Sequence, residues 1–260
     1  MLFLRIAILA LTVGLGVAPN QQISVEIEPQ PNRPPQSTPE PRRKLAVNPD
    51  SLFPLIVSED PSQRSKALEV LGMSWMGEMQ PTDARLLAVN LDSDQDLERV
   101  LIMKSNLNAA VVVLKNEKGT WWELGSFFCC GPSGRVQEPF VELRQTVWHG
   151  TNDLIVHAVG AHGTGVGEGR LMIYRVWKGN LYKVLDISEW EYNMRDSETS
   201  RIFFPDMESH ASPQVITVIK DSQKRRKATC IPYRWEVKKF AFVQIPPSPK
   251  FCLGPAGTPP

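Results

Sequence analysis

The residues with the clearest potential for chemistry form an acidic loop between two apolar runs of the chain. Asn90, Asp92, Asp94 and Glu98 supply side-chain oxygens at short intervals in this loop. Calcium binds several oxygen ligands at once, and alternating Asp and Asn side chains in a tight loop direct several oxygens inward. The spacing therefore predicts a calcium site. A solvated acidic hairpin without a metal ion has the same pattern, and both interpretations stay open.

A glycine-rich segment, residues 160–169, is the second candidate site. It fits neither of the glycine motifs that bind nucleotide phosphates, so a nucleotide site is not expected. Its composition predicts a long flexible hairpin loop. Because long loops in compact domains often carry function, His162 and Glu168 are its candidate binding residues. Convergence of these two residues with His149 and Asp153 in one pocket would instead indicate an enzyme.

The remaining polar patterns identify no catalytic residue. The histidines follow no metal-binding spacing, and the sequence motifs of α/β-hydrolases and zinc proteases are absent. These histidines are His149, His157, His162 and His210. A basic run at residues 224–227 is interpreted as a charged hairpin tip that opposes edge-to-edge pairing of sheets. With 29 basic and 28 acidic residues the net charge is +1, so no nucleic-acid partner is expected.

The amino terminus predicts the compartment. Residues 1–18 combine a single charge, Arg5, with an apolar run and with small residues at Gly16 and Ala18, which is typical of a secretory signal peptide. The apolar run is shorter than the roughly 20 residues that span a bilayer. The chain is therefore predicted to be secreted or periplasmic, in the cell envelope. It would contact a membrane only through residues 1–18, if they are not cleaved.

The cysteines agree with export, because an even number of them in an exported protein indicates disulfide bonds. They are Cys129, Cys130, Cys230 and Cys252. A bridge between the adjacent Cys129 and Cys130 would strain the peptide between them. We therefore favour bridges from this pair to Cys230 and to Cys252, which would tie the carboxyl-terminal tail to the body of the protein. Zinc is not expected, since the paired spacings of zinc ligands are absent.

Proline marks the outer segments of the chain. Residues 19–50 are predicted to be a Pro-rich linker, and residues 246–260 a Pro/Gly-rich tail. Residues 51–84, which follow the linker, are predicted to be a helical segment.

One helix is predicted within that segment. Asp60 suits the N-cap, Pro61 the first helical position, and Gln63 completes a pattern like a capping box. The apolar residues at helical spacing are Leu68, Leu71, Trp75 and Met79. Pro81 is expected to end the helix, and the apolar stripe is interpreted as core packing against a sheet.

Residues 85–245 consist of short β-branched and aromatic runs separated by turn signals, which is typical of strands. Lys118-Gly119 recurs as Lys178-Gly179 sixty residues later, and Trp121, Leu181 and Phe240 are nearly equidistant. The implied repeats cover about 85–128, 136–186 and 200–245, each with four candidate strands.

The repeats predict a mainly β fold of antiparallel four-stranded meanders, each like a propeller blade, preceded by one helix. Three such units fall short of the four to eight blades of most propellers, so a full closed propeller is not expected. An open curved sheet, a half-propeller completed by a second chain, and a sheet sandwich are the alternatives.

Residues 86–102 resemble the FG-GAP/VCBS repeats of integrin-like β-propellers, in which one apolar strand enters an acidic calcium loop and a second leaves it. The resemblance implies that the acidic loop occupies the family's oxygen-ligand positions, with calcium as cofactor. Gln95 departs from the family, which usually places a glycine at that turn. The second and third repeats lack the motif.

These observations predict an exported, non-catalytic β-repeat protein that binds or organises a partner, with calcium as its candidate stabilising ion. The partner would be an unidentified protein or glycan. The alternative is a cell-envelope hydrolase that uses the loops of the second repeat, and fold class alone does not decide between the two.

Overall fold

The computed structural model describes residues 38–74, 83–92, 94–104, 109–129, 141–147, 150–161, 166–193, 196–204, 214–223 and 227–252. The fold is mainly β, as predicted. The helices are α1 (Pro49–Ile56), α2 (Pro61–Val70) and the one-turn α3 (Pro249–Cys252). The strands are β1 (Arg43–Lys44), β2 (Asp83–Val89), β3 (Glu98–Lys104), β4 (Ala109–Glu117), β5 (Thr120–Cys129), β6 (Val141–Arg144), β7 (Asp153–Ala161), β8 (Val166–Trp177), β9 (Asn180–Asn193), β10 (Asp196–Phe203), β11 (Val215–Ser222), β12 (Lys227–Glu236) and β13 (Ala241–Gln244).

The first sheet has five antiparallel strands in the order β1-β5-β4-β3-β2. Strands β2 to β5 form the four-stranded meander predicted for the first repeat, and the short β1 joins its edge by pairing Arg43 with Glu123. Strand β4 is buried on both faces. Val111 and Val113 pack toward the second sheet, whereas Val112 and Leu114 pack toward α1 and α2.

The second sheet has eight antiparallel strands, β6 to β13, in the order of the chain. The second and third predicted repeats therefore form one continuous meander rather than two separate blades. The sheet curls so that its two halves enclose an aromatic cluster. The cluster consists of Trp177, Tyr182, Trp235, Phe240 and Phe242.

The recurring Lys-Gly pairs form equivalent hairpin turns. Lys118 and Gly119 have φ values of 53° and 82°, and Lys178 and Gly179 have 49° and 70°. Two successive residues with positive φ are the requirement of a type I′ turn, which matches the twist of the flanking strands. In the third repeat, Phe240 takes the positive φ value, 52°, and its ring is fully buried in the aromatic cluster.

Helix α2 begins as predicted and ends earlier than predicted. Asp60 caps it by accepting a hydrogen bond from the Ser62 N–H, and Pro61 is the first helical residue. The helix ends at Val70 because Gly72, with φ of 68°, adopts the left-handed conformation that terminates many helices. The predicted stripe residues Trp75 and Met79 lie outside the described residues. Helix α1, capped by Asn48, was not predicted separately.

A disulfide bond between Cys230 and Cys252 ties α3 to strand β12. The prediction that the tail is covalently tied to the β body is confirmed, but the favoured pairing with Cys129 or Cys130 is wrong for both cysteines. The reason is that the chain after β13 returns to its own half of the second sheet, where Thr217 also donates a hydrogen bond to the Phe251 carbonyl. The predicted signal at residues 1–18 lies outside the described residues.

Among the helices in the described ranges, none combines the length and the apolar character needed to cross a bilayer.

Candidate functional site

The acidic loop brings its carboxylates together, as predicted. Asp92, Asp94 and Glu98 each offer an oxygen, and these oxygens lie within 4.8 Å of one another. Glu98 begins β3 and is fully buried, whereas Asp94 is exposed. An arrangement of this kind could hold a cation, because several carboxylates crowded into one site repel one another unless a positive charge lies among them.

Lys115 supplies that positive charge in the described structure. Its Nζ atom lies 2.6 Å from an oxygen of each of the three carboxylates, and the side chain is almost fully buried. The ammonium group therefore occupies the centre of the cluster. Lys115 was not predicted from the sequence as part of this cluster. The available signal was its position directly after the apolar run 109–114, where a charged residue on a buried strand requires a partner.

Burial and ion pairing oppose each other in the pKa values of this cluster. Burial alone would lower the pKa of Lys115, but hydrogen bonds to the carboxylates outweigh it and raise the pKa above its usual value. Burial would raise the pKa of Asp94, but hydrogen bonds from Lys115 and from the Asp96 amide lower it overall. Burial raises the pKa of Glu98 in spite of the Lys115 ammonium. The ammonium is therefore firmly charged at neutral pH.

The loop is also held by its own hydrogen bonds. The Asp94 N–H donates to Asp92, the Asp96 N–H donates to Asp94, and the Leu91 N–H donates to Glu98. Asn90 donates from its side-chain amide to the Asp94 carbonyl. Gln95 is not among the described residues with positive φ, so this loop does not use the turn at which the resembling family places glycine.

The predicted glycine-rich loop is mostly strand. Strand β7 continues to Ala161 and β8 begins at Val166, so the prediction of a long loop is wrong for residues 160–161 and 166–169. Gly169 permits a close approach: a Cβ atom there would lie 2.1 Å from Nε1 of Trp190. The glycine therefore serves strand packing.

Of the four residues proposed for the second candidate site, the structure describes Glu168 and Asp153, which lie near opposite ends of strand β7. Glu168 lies on β8 and forms an ion pair of 3.7 Å with Arg170. His162 and His149 lie outside the described residues, as does the fourth histidine, His210.

Asp153, the fourth member of the hypothetical enzyme pocket, is buried in an ion pair with Arg175. Its carboxylate also accepts hydrogen bonds from the amide and the hydroxyl of Thr146. The Arg175 guanidinium in turn stacks on Trp235, 5.1 Å from the ring centroid. Asp153 therefore joins β7, β8 and β12, and its carboxylate is buried among them.

The structure assembles a different polar group, which the sequence did not predict. His157 on β7 lies between two glutamates, with Nδ1 2.8 Å from Glu189 on β9 and Nε2 3.4 Å from Glu142 on β6. The group lines a cavity of about 460 Å³, here called the His157 groove. Its lining residues are Glu142, Arg144, His157, Leu171, Glu189, Ser200, Ile202, Phe203 and Phe204.

Two irregularities of the sheet form this groove. Ser188 pairs with Arg170 and Trp190 pairs with Gly169, so Glu189 is the extra residue of a β-bulge. Bulges often redirect a side chain at a functional site. In addition, β9 pairs with β10 only through residues 190–193, and beyond that point β10 pairs with β11 alone. The strands therefore diverge, and the groove lies where they separate.

The pKa of His157 is set by the balance of burial and its carboxylate neighbours. Burial alone would lower the pKa, but the hydrogen bond and charge of Glu189, followed by Glu142, raise it above the usual value. Within the described structure, Oε2 of Glu189 and Nε2 of His157 are buried without a hydrogen-bond partner. The groove therefore contains a buried carboxylate oxygen and a buried ring nitrogen that are open to a further polar contact.

Comparisons with protein families, with curated proteins and with solved structures found no match to this chain. The resemblance of residues 86–102 to FG-GAP/VCBS repeats therefore stays a prediction.

Proposed function

We propose that this chain is an exported, non-catalytic β-repeat binding protein and that the His157 groove is its ligand site. The observation that carries the proposal is the cavity itself, which combines apolar walls with a few convergent polar groups, the usual composition of a ligand site. Phe203, at 45% exposure, gives the groove an aromatic wall that is accessible from solvent.

Two features support export. The Cys230–Cys252 disulfide bond fits an oxidising compartment. The predicted signal at residues 1–18 directs the chain to such a compartment. A secreted or periplasmic location is therefore part of the proposal, with a protein or glycan of the cell envelope as partner.

The state of His157 supports binding over hydrolysis. A protonated histidine has no lone pair with which to accept a proton from water. The flanking Glu189 and Glu142 favour that protonated state. Asp153, the carboxylate expected in the hydrolase alternative, is already neutralised by Arg175.

Binding can be tested by NMR titration of the full chain with envelope-derived peptides and oligosaccharides, following the His157 ring. We expect a ligand that shifts this resonance, and we expect Phe203→Ala to weaken its binding. Tyr192→Ala is the matched control, because Tyr192 is 51% exposed and does not line the groove. Conversion of the ligand to products would support the hydrolase, and equal effects of both variants would contradict the groove as the site.

Calcium at the acidic loop is a second proposal, which the convergence of Asp92, Asp94 and Glu98 favours. A calcium ion there has to displace the Lys115 ammonium, so its effect depends on that competition. If calcium displaces the ammonium group, it raises the melting temperature of the wild type, and Asp94→Ala abolishes the rise. A melting curve that is unchanged at millimolar calcium would leave Lys115 as the only cation of the loop.

A further inference from the structure

The charged side chains of the His157 groove form a series of contacts that alternates in sign. Arg144 lies 3.4 Å from Glu142, Glu142 lies 3.4 Å from His157, and His157 lies 2.8 Å from Glu189. Arg144 also stacks on Phe204, 4.4 Å from the ring centroid. The outer end of this series is therefore the exposed cation Arg144, and the inner end is the mostly buried carboxylate of Glu189.

The inner end, Glu189, has no hydrogen-bond donor among the described residues for one of its carboxylate oxygens. Oε2 of Glu189 is buried and accepts no hydrogen bond within the described structure. A carboxylate oxygen accepts and never donates when ionised, so the group that completes it must be a donor. A buried acceptor left unsatisfied destabilises the folded protein, and more so when it is charged. A ligand with a hydrogen-bond donor would therefore gain from this contact.

The walls beside Glu189 are apolar. They indicate that the part of the ligand next to its hydrogen-bond donor is apolar as well. Leu171 and Ile202 line the groove from β8 and β10, and the Phe203 side chain is partly exposed beside them. An alkyl stem can pack against these side chains while its polar end reaches the carboxylate. Lysine-like groups combine a stem and a donor in this way.

Other ligand classes fit the groove less well. A divalent metal ion needs ligands that converge on one point, but Glu142 and Glu189 approach opposite nitrogens of the His157 ring. An anion would meet both carboxylates. Among the described lining residues, the one guanidinium is that of Arg144, and it already contacts Glu142 and Phe204.

From these observations we infer that the His157 groove binds an alkylammonium group, whose nitrogen donates to Glu189 and whose stem packs on Leu171, Ile202 and Phe203. This inference rests on the proposed binding function and adds the chemical class of the ligand. The group could belong to a free amine or to a lysine side chain of a protein. Both present the same chemistry to Glu189.

Binding and protonation of His157 are linked in this arrangement. The charged groups that face His157 are Glu142 and Arg144 from β6 and Glu189 from β9, whereas β8 and β10 contribute Leu171 and Ser200. With His157 protonated, these charges sum to zero, and an incoming ammonium group adds a positive charge. The ligand therefore binds more tightly as the imidazolium loses its proton, by up to about tenfold for each pH unit.

The test is an NMR titration of the full chain with n-pentylamine, using n-pentanol as the neutral isostere. We expect the amine, and not the alcohol, to shift the His157 ring resonances. Glu189→Gln should weaken amine binding at least about tenfold, since it removes a charged acceptor. Glu191→Gln is the matched control, because Glu191 lies on the same strand, is exposed and does not line the groove.

His157→Gln provides a second variant that retains a donor for Glu189 and removes the titration. It should bind the amine with an affinity that no longer changes across neutral pH. Peptides that contain lysine, compared with the same peptides containing norleucine, distinguish a protein source from a free amine.

Equal binding of pentanol and pentylamine would overturn the inference, as would an unchanged affinity in Glu189→Gln. If the amine does not bind but an envelope oligosaccharide shifts the His157 resonances, the ligand class is wrong and the proposed binding function stands. If neither the amine nor any envelope ligand binds, both are overturned.

Discussion

Arg175 and Asp153 form a buried bidentate ion pair, in which Nε and Nη2 of the guanidinium each lie 2.6 Å from a carboxylate oxygen. Both side chains are at most 2% exposed. Because Arg175 also stacks on Trp235, the pair links the two halves of the second sheet. Asp153, which the sequence suggested as a member of an enzyme pocket, therefore connects strands of the sheet.

The first prediction concerns this pair. Asp153→Ala leaves the Arg175 guanidinium buried without its counter-ion, so it should lower the free energy of unfolding by about 3–5 kcal/mol. Glu236→Ala is the control, since Glu236 forms an exposed pair with Lys239 and its removal should change stability by less than about 1 kcal/mol. Urea unfolding followed by tryptophan fluorescence measures both. Equal small losses would contradict the structural role of Asp153.

A second prediction separates the two cations that could occupy the acidic loop. Lys115→Met leaves Glu98 and Asp92 unpaired and should lower the free energy of unfolding by about 3–5 kcal/mol. Millimolar calcium should restore part of this loss, because the ammonium no longer competes for the three carboxylates. Thermal melting with and without calcium is the measurement.

Lys183→Met is the control for that experiment, since Lys183 pairs with Asp186 at the surface. It should be nearly neutral and should give no new response to calcium. A Lys115→Met variant as stable as the wild type would show that the cluster contributes no net stability.

The contrast between the two sites shows what sequence could predict. Asp92, Asp94 and Glu98 lie close together in the sequence, so their convergence follows from local spacing. Their cation, Lys115, lies near the end of strand β4. It reaches the carboxylates only because β4 pairs with β3.

The His157 groove was harder to predict, because Glu189 is 32 residues from His157. A regular strand alternates its side chains between the two faces of a sheet, and a bulge breaks that alternation. The hairpin turns at Lys118-Gly119 and Lys178-Gly179 are easier to recognise in the sequence, because each is specified by two adjacent residues.

The third prediction concerns Gly169, which lies beneath the Trp190 indole. Gly169→Ala places a methyl group where the ring now lies, so it should lower the free energy of unfolding by about 1–3 kcal/mol. Combining it with Trp190→Ala should give less than the sum of the two losses, because the clash disappears with the ring. Denaturant unfolding of the single and double variants measures the coupling. Strict additivity would contradict the contact.

The fourth prediction is a pH dependence of stability from His157. Its pKa in the folded protein lies above the usual value of 6.5 because of Glu189 and Glu142. The folded state therefore favours the protonated ring, and the stability gained is complete below about pH 6.5 and is lost as pH rises through the folded pKa. Urea midpoints measured from about pH 6 to pH 9 should fall in the wild type. His157→Gln should remove this component, and an identical slope in both proteins would argue against it.

The pairing of the described strands has a consequence for the order of folding. Every strand from β2 to β5 and from β6 to β13 pairs with its neighbour in sequence, so each hairpin can form soon after its two strands are available. The exception is the segment around β1. It pairs Arg43 and Lys44 with β5, and its Glu40 N–H donates to the Leu181 carbonyl of β9. These partners are far away in sequence, and the segment contacts both sheets. We therefore expect it to complete its hydrogen bonds last, although it is synthesised before either partner strand.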